Sequence, residues 1–164
     1  MKRFSVLLTF TLIGLVMQGQ TGPVDELFGK YAGKDGFTSV MISSKMFGLF
    51  ASEDKGDEDI SNVMSRLKSI RILTVEDTIL NRSVNFYNEL RKKTDFSGYD
   101  ELMVVREGKN VTFFLTRQSG SLISELLLIS AGTGGNTMIS IRGDLNLKDI
   151  SDLSKSMGMD LLTR

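Results

Sequence analysis

Four strand-like segments follow one another in the second half of the chain: ELMVVRE (101–107), NVTFFLTRQ (110–118), SLISELLLIS (121–130) and NTMISIRG (136–143). The linkers EGKN, QSGS and AGTGGN are short and carry Gly, which means hairpins. In the second segment Val111, Phe113 and Leu115 point one way, and Thr112 and Thr116 the other. One buried and one wet face is the habit of an antiparallel sheet. This run commits the C-terminal half to a four-strand meander; hairpins fix only neighbouring pairs, so the order of the whole sheet stays open and the first strand could sit centrally or at an edge.

Upstream, FTSVMIS (37–43) reads as a first strand, and IRILTVED (70–77), with β-branched alternation, as a second. Between them KMFGLFAS fits either strand continuation or a short buried helix. An acidic loop (53–59) ends at Asp59, which can cap a helix over ISNVMSRLKSI with Ile60, Val63, Met64 and Leu67 on one face. From Thr78 to Lys93 the period is helical, and Arg91, Lys92 and Lys93 suit the negative end of the macrodipole. After the meander Gly143 is expected to end the last strand, and Asn146 to cap a closing helix LKDISDLSKSM with Asp149 as its acidic capping partner. Helices grouped against such strands give an α+β fold, with a largely antiparallel sheet and the helices packed on one face.

Residues 1–20 have another character. Lys2 and Arg3 precede an apolar run from Phe4 to Met17, and Gln18, Gly19 and Gln20 follow. That is the layout of a secretory signal peptide, and the run is short of the roughly 20 residues a bilayer needs. Cleavage near Gly19/Gln20 is expected. It leaves 18 basic and 20 acidic residues and a net charge of −2. Residues 21–36 then form a Gly-rich leader with a short amphipathic piece around Val24, Leu27, Phe28 and Tyr31, and 37–164 a single domain.

The chain has neither His nor Cys. A Ser-His-Asp triad, a Cys nucleophile, a disulfide, a lipoprotein anchor and a His/Cys metal or haem site are therefore excluded. Balanced charge argues against nucleic acid. The acidic cluster Glu53, Asp54, Asp57, Glu58 and Asp59 offers oxygen ligands, but no register supplies an EF-hand, so it reads as a solvated loop. Ser52–Lys55 and Ser65–Lys68 have the spacing of a Ser/Lys dyad, without the S-D-N and K-T-G companions. Gly132, Thr133, Gly134, Gly135 and Asn136 resemble a phosphate loop but run from strand to strand with no Lys after them, and so read as a hairpin turn. No spacing points to a carboxylate pair for glycoside hydrolysis, although such a pair needs none. No cofactor is expected.

Four stretches together, TSVMISSKMFGLF, ISNVMSRLKSIRIL, the meander, and MISIRGDLNLKDISDLSK, resemble the DUF4252 family over roughly residues 24–158. The resemblance implies a small exported protein of a Gram-negative bacterium and a place in envelope stress or regulation. It carries over no catalytic residues. Members often carry a lipoprotein Cys after the signal. This chain has none, which leaves membrane association open. The most specific part is R-G-D-L-x-L-x-D-I-S-x-L-S, in which Arg142 and Asp144 are the candidate partner-site residues beside a role in turn and cap chemistry. The expectation is a non-catalytic domain in the periplasm or cell envelope that binds an envelope protein or component through an open sheet face or edge strand. A hydrolase with paired carboxylates or a Ser/Lys dyad, and a signal-anchored membrane sensor, are the alternatives.

Overall fold

Hairpin turns set the sheet. The structure, a computed structural model, describes residues 22–53, 58–146 and 148–149. β3 (Asp100–Glu107), β4 (Asn110–Ser119), β5 (Leu122–Ala131) and β6 (Thr137–Leu145) form the expected meander. Gly108 and Gly120 stand at the first position of the two tight turns with φ of +60° and +63°, a region that strains any residue with a Cβ. β1 (Phe37–Ser43) pairs with β2 (Leu67–Val75), and β2 with β6, so the order is β1-β2-β6-β5-β4-β3 and every pair is antiparallel. The α+β expectation is borne out. The first strand takes an edge.

Alternation along the strands gives the sheet two apolar faces. On one, Leu73 and Val75 of β2, Met138 of β6, Leu127 and Ile129 of β5 and Leu115 of β4 form the main core. Val24, Leu27 and Tyr31 of α1 (Pro23–Tyr31) and Phe86 and Leu90 of α5 (Phe86–Arg91) close over them. Leu73, Phe86, Leu90, Leu127, Ile129 and Met138 are 0% exposed. Fully burying one such side chain contributes about 1.5–3 kcal/mol, which makes α1 part of the body. Tyr31 and Lys30 of α1 also meet Glu89 of α5, the phenol Oη and the amine Nζ each donating at 2.5 Å. Burial pushes the Glu89 carboxyl up, but these two hydrogen bonds and the Lys30 charge outweigh it and its pKa lies below the usual value.

The other face differs from expectation. Its residues have the opposite parity: Ile70 of β2, Ile139, Ile141 and Leu145 of β6, and Leu126 of β5. They pack with Phe47 of α2 (Ser44–Glu53) and Met64 of α3 (Glu58–Arg66). Helices therefore lie on both faces rather than one. β1 runs straight into α2 and α3 straight into β2, so this hairpin has no slack to swing to the α1 side.

Other elements settle for local reasons. KMFGLFAS belongs to α2. The helix ending in LKSI stops at Arg66, because Leu67 enters the ladder opposite Gly143. The continuous helix over 78–93 is instead α4 (Leu80–Ser83) and α5, split where Val84 turns extended. Asn85 then caps α5, its Oδ1 accepting from Asn88 N at 2.8 Å, which shows an Asn side chain competing with the helix ladder. The strand over 70–77 ends at Val75, since Asp77 Oδ1 accepts from both Ile79 N and Leu80 N at 2.8 Å and starts α4. The signal segment 1–20, the centre of the acidic loop (54–57) and the closing helix beyond Asp149 lie outside the described residues.

Candidate functional site

Arg71 on β2, Arg117 on β4, Glu125 on β5 and Arg142 on β6 are charged positions of the main-core parity, and Glu125 is the most buried of them. Glu125 on β5 shares its parity with Leu127 and Ile129, and Arg142 on β6 shares that of Met138 and Ser140. The register places Glu125 beside Arg142, and the first turn of α1 brings Asp25 down onto them. Arg142 Nη1 donates to Asp25 Oδ1 and Oδ2 at 2.8 and 2.9 Å, and Nε donates to Glu125 Oε1 at 3.0 Å. Ser140 Oγ gives Oε1 a second donor at 2.6 Å, and Tyr99 Oη donates to Oε2 at 2.7 Å. Arg117 stands 3.9 Å from Oε2 and lies over the Tyr99 ring. Arg71 Nη1 is 2.6 Å from Asp25 Oδ1, an ion pair without hydrogen-bond alignment.

The Glu125 side chain is 3% exposed, and both of its oxygens are engaged. Burial, then the Glu125 charge and hydrogen bond, hold the Tyr99 phenol far above the usual tyrosine range. Burial pulls Arg142 down, but Asp25 and Glu125 raise it on balance, so it stays charged. The Arg142 guanidinium lies between the Asp25 and Glu125 carboxylates and bonds both, with Arg71 facing Asp25 and Arg117 facing Glu125. The network locks α1 to the sheet.

Arg142 and Asp144 do not come together. Asp144 is exposed and accepts from Lys68 Nζ at 2.6 Å. Gly143 does not end the strand, because β6 runs on to Leu145. A Cβ at position 143 would meet the Arg66 carbonyl oxygen at 2.6 Å, so glycine is needed there for close approach beside the irregularity in β2. Leu145 is 0% exposed. Asn146 and Asp149 form the expected capping box: Asp149 N donates to Asn146 Oδ1 at 2.9 Å and Asn146 N to Asp149 Oδ2 at 2.7 Å. Arg66 Nη1 adds two bonds to Asp149 at 2.7 and 3.1 Å, tying the end of α3 to the same corner.

The other candidates have local roles. Ser65 Oγ donates to the Asn62 carbonyl at 2.8 Å while Lys68 is held by Asp144, so the two do not form a dyad. Residues 132–136 are the β5–β6 turn. Asn136, 0% exposed, donates from Nδ2 to Asn81 Oδ1 at 2.7 Å and to Asn81 O at 3.2 Å, and its Oδ1 accepts from Phe86 N at 3.4 Å. Asn81 Nδ2 returns a bond to Thr133 O at 3.1 Å. This clamp borders a cavity of about 270 Å³ between the β5–β6 turn and the β2–α4 turn, where Asp77 is already taken up as a cap. Among the described residues no three Asp or Glu side chains converge to hold a metal.

One surface remains. On the α2–α3 face a row of opposed residues crosses all six strands: Val40, Ile72, Ile139, Leu128, Phe114 and Met103. Val40 is 39% exposed and the other five are half-buried. The equivalent row behind it holds Leu73, Met138 and Ile129 at 0%. Beside the apolar row runs a row of hydroxyls, Thr38, Thr74, Thr137, Ser130 and Thr112. Six strands at 4.8 Å spacing make the apolar row about 24 Å long.

The family model described as "Domain of unknown function (DUF4252)" matches residues 31–153, well over half of the chain. No curated protein and no solved structure matches it.

Proposed function

The chain belongs to the DUF4252 family, and on that premise we propose that it is an exported, non-catalytic domain that binds an amphipathic helix of an envelope protein across its open sheet face. The apolar row from Val40 to Met103 carries this reading. Its length of about 24 Å matches a helix of about 16 residues, and the hydroxyl row gives such a helix a polar border. A role in envelope stress or regulation, as the family resemblance implies, needs a binding surface of this kind and no catalytic centre. Export to the periplasm rests on the layout of residues 1–20, with cleavage near Gly19/Gln20. No helix among the described residues is long and apolar enough to cross a membrane.

Two measurements test the proposal. Intact mass of the protein from the envelope fraction should show the loss of about twenty residues, as a removed signal requires; an uncut chain would contradict export with cleavage. A photoreactive side chain in place of Leu128 should crosslink, in the native envelope, to one protein segment with apolar residues at helical spacing. The double variant Ile72→Thr/Phe114→Thr should cut that yield at least about tenfold, the loss expected when centre-of-interface contacts are removed. Capture of no specific segment, or equal capture by the variant, would overturn helix binding at this face.

A further inference from the structure

We infer that residues 150–157 of this chain continue the helix capped at Asn146, cross β5 and β4 on the α2–α3 face, and hold that half of the face against a partner helix. The described chain does not end in solvent. Leu145 is 0% and Asp149 3% exposed, and the Asn146–Asp149 capping box fixes a helix start at this corner. Arg66, the last residue of α3, holds Asp149 by two bonds, and Leu67 follows it into β2 opposite Gly143. The β2 side of the corner is thus taken by α3, and the free direction runs from β6 towards β5 and β4.

Those two strands carry the mark of a cover. α2 packs on β1 and β2, and α3 on β6. Two strands beyond β6, Thr116 of β4 is 1% exposed, and its Oγ1 is buried with no hydrogen-bond partner among the described residues. Its neighbours on the same side of β4, Phe114 and Gln118, are half-buried and exposed. The register sets Thr116 opposite Leu126 and Gln118 opposite Ile123, which is 5% exposed.

The outgoing sequence has the matching period. Ile150, Leu153 and Met157 recur at helical spacing. From Asn146 to Leu153 is about 10.5 Å along a helix axis, and from β6 to β4 is about 9.6 Å across the sheet. A helix leaving β6 across the strands therefore sets Ile150 at Ile123 and Leu126, and Leu153 over Thr116. It lies two residues along β5 and β4 from Leu128 and Phe114, about 6.8 Å, which is less than the roughly 8–10 Å between packed helix axes. The closing segment and a partner helix on the apolar row cannot both be seated, so partner binding must lift the segment away. That competition rests on the helix-binding reading; the docking of the segment does not.

The chain has no Cys, so introduced thiols report cleanly. Thr116→Cys/Leu153→Cys should form an intrachain disulfide on mild oxidation at least about tenfold faster than Val40→Cys/Leu153→Cys, because Val40 shares the face but stands on β1, out of disulfide reach of β4. In the full-length Thr116→Cys protein, adding Ile150→Asp/Leu153→Asp should speed labelling of the thiol at position 116 at least about tenfold, since docking would then bury two charges. With a photoreactive side chain at Leu128, the oxidised Thr116→Cys/Leu153→Cys protein should capture a partner segment at least about tenfold less than the reduced one. Equal oxidation of the two thiol pairs, a disulfide between two chains, or labelling at position 116 unmoved by the charged pair would overturn the docking. Capture indifferent to oxidation would overturn the competition. Failure of capture in both states would fall on the helix-binding reading alone, because the disulfide and the labelling decide the docking.

Discussion

Arg142→Ala should lower the free energy of unfolding by about 3–5 kcal/mol, the cost of leaving a buried ion pair without its partner. The replacement strands Glu125, 3% exposed, with only its two hydroxyl donors and the distant Arg117, and it removes two of the bonds to Asp25. Asp144→Ala, two residues along the same motif, should cost at most about 1 kcal/mol, because its pair with Lys68 is solvent-exposed on both sides. Urea unfolding of the two variants at neutral pH measures the contrast. Arg142→Leu/Glu125→Leu should recover much of the loss, since apolar replacement of both partners removes the orphaned charge. Equal, small effects at 142 and 144 would mean that the Arg142 network does not hold α1 to the sheet.

Asn136→Ala should lower stability by about 2–4 kcal/mol, the sum of a lost buried amide and the polar groups it leaves unsatisfied. The Asn136 side chain bridges Asn81, the Gly132 carbonyl and Phe86 N, and it does so with no exposure. Its loss strands Asn81 Oδ1 and frees the β5–β6 turn from α4 and α5 together. The unfolding midpoint in urea reports the stability loss. Hydrogen exchange at Phe86 N should accelerate beyond the global change, since that donor loses its acceptor. An unchanged midpoint would show that water replaces the amide without cost.

The meander was legible because a two-residue period with Gly at the turns has one economical solution, and the Asn146–Asp149 capping box because its chemistry is local. Two of the charged positions on the main-core face also left a trace: a lone Glu amid SLISELLLIS, in phase with Leu127 and Ile129, and an Arg in phase with Met138. What that trace lacks is the partner, because Asp25 lies 117 residues from Arg142 along the chain and only the packing of α1 brings them together. The split at Asn85 was hidden by an unbroken apolar stripe, and a side-chain cap decided it. Gly143 was misread as a turn because a glycine needed for space looks the same in sequence as one needed for φ. The assignment of α2–α3 to the second face follows from tight strand–helix junctions, which no periodicity encodes. Asn81 and Asn136 left no signal, since an Asn in a Gly-rich turn is ordinary.

Everything proposed for function depends on the sheet having one closed apolar face and one that α2 and α3, among the described residues, cover only in part. Leu128 and Ile129 are neighbours in sequence that point to opposite faces, half-buried and 0% exposed respectively. In this Cys-free chain Leu128→Cys and Ile129→Cys can be labelled one at a time with a thiol reagent under native conditions. Position 128 should react at least about 100-fold faster than position 129, whose labelling must await opening of the core. Equal rates at the two positions would contradict the account.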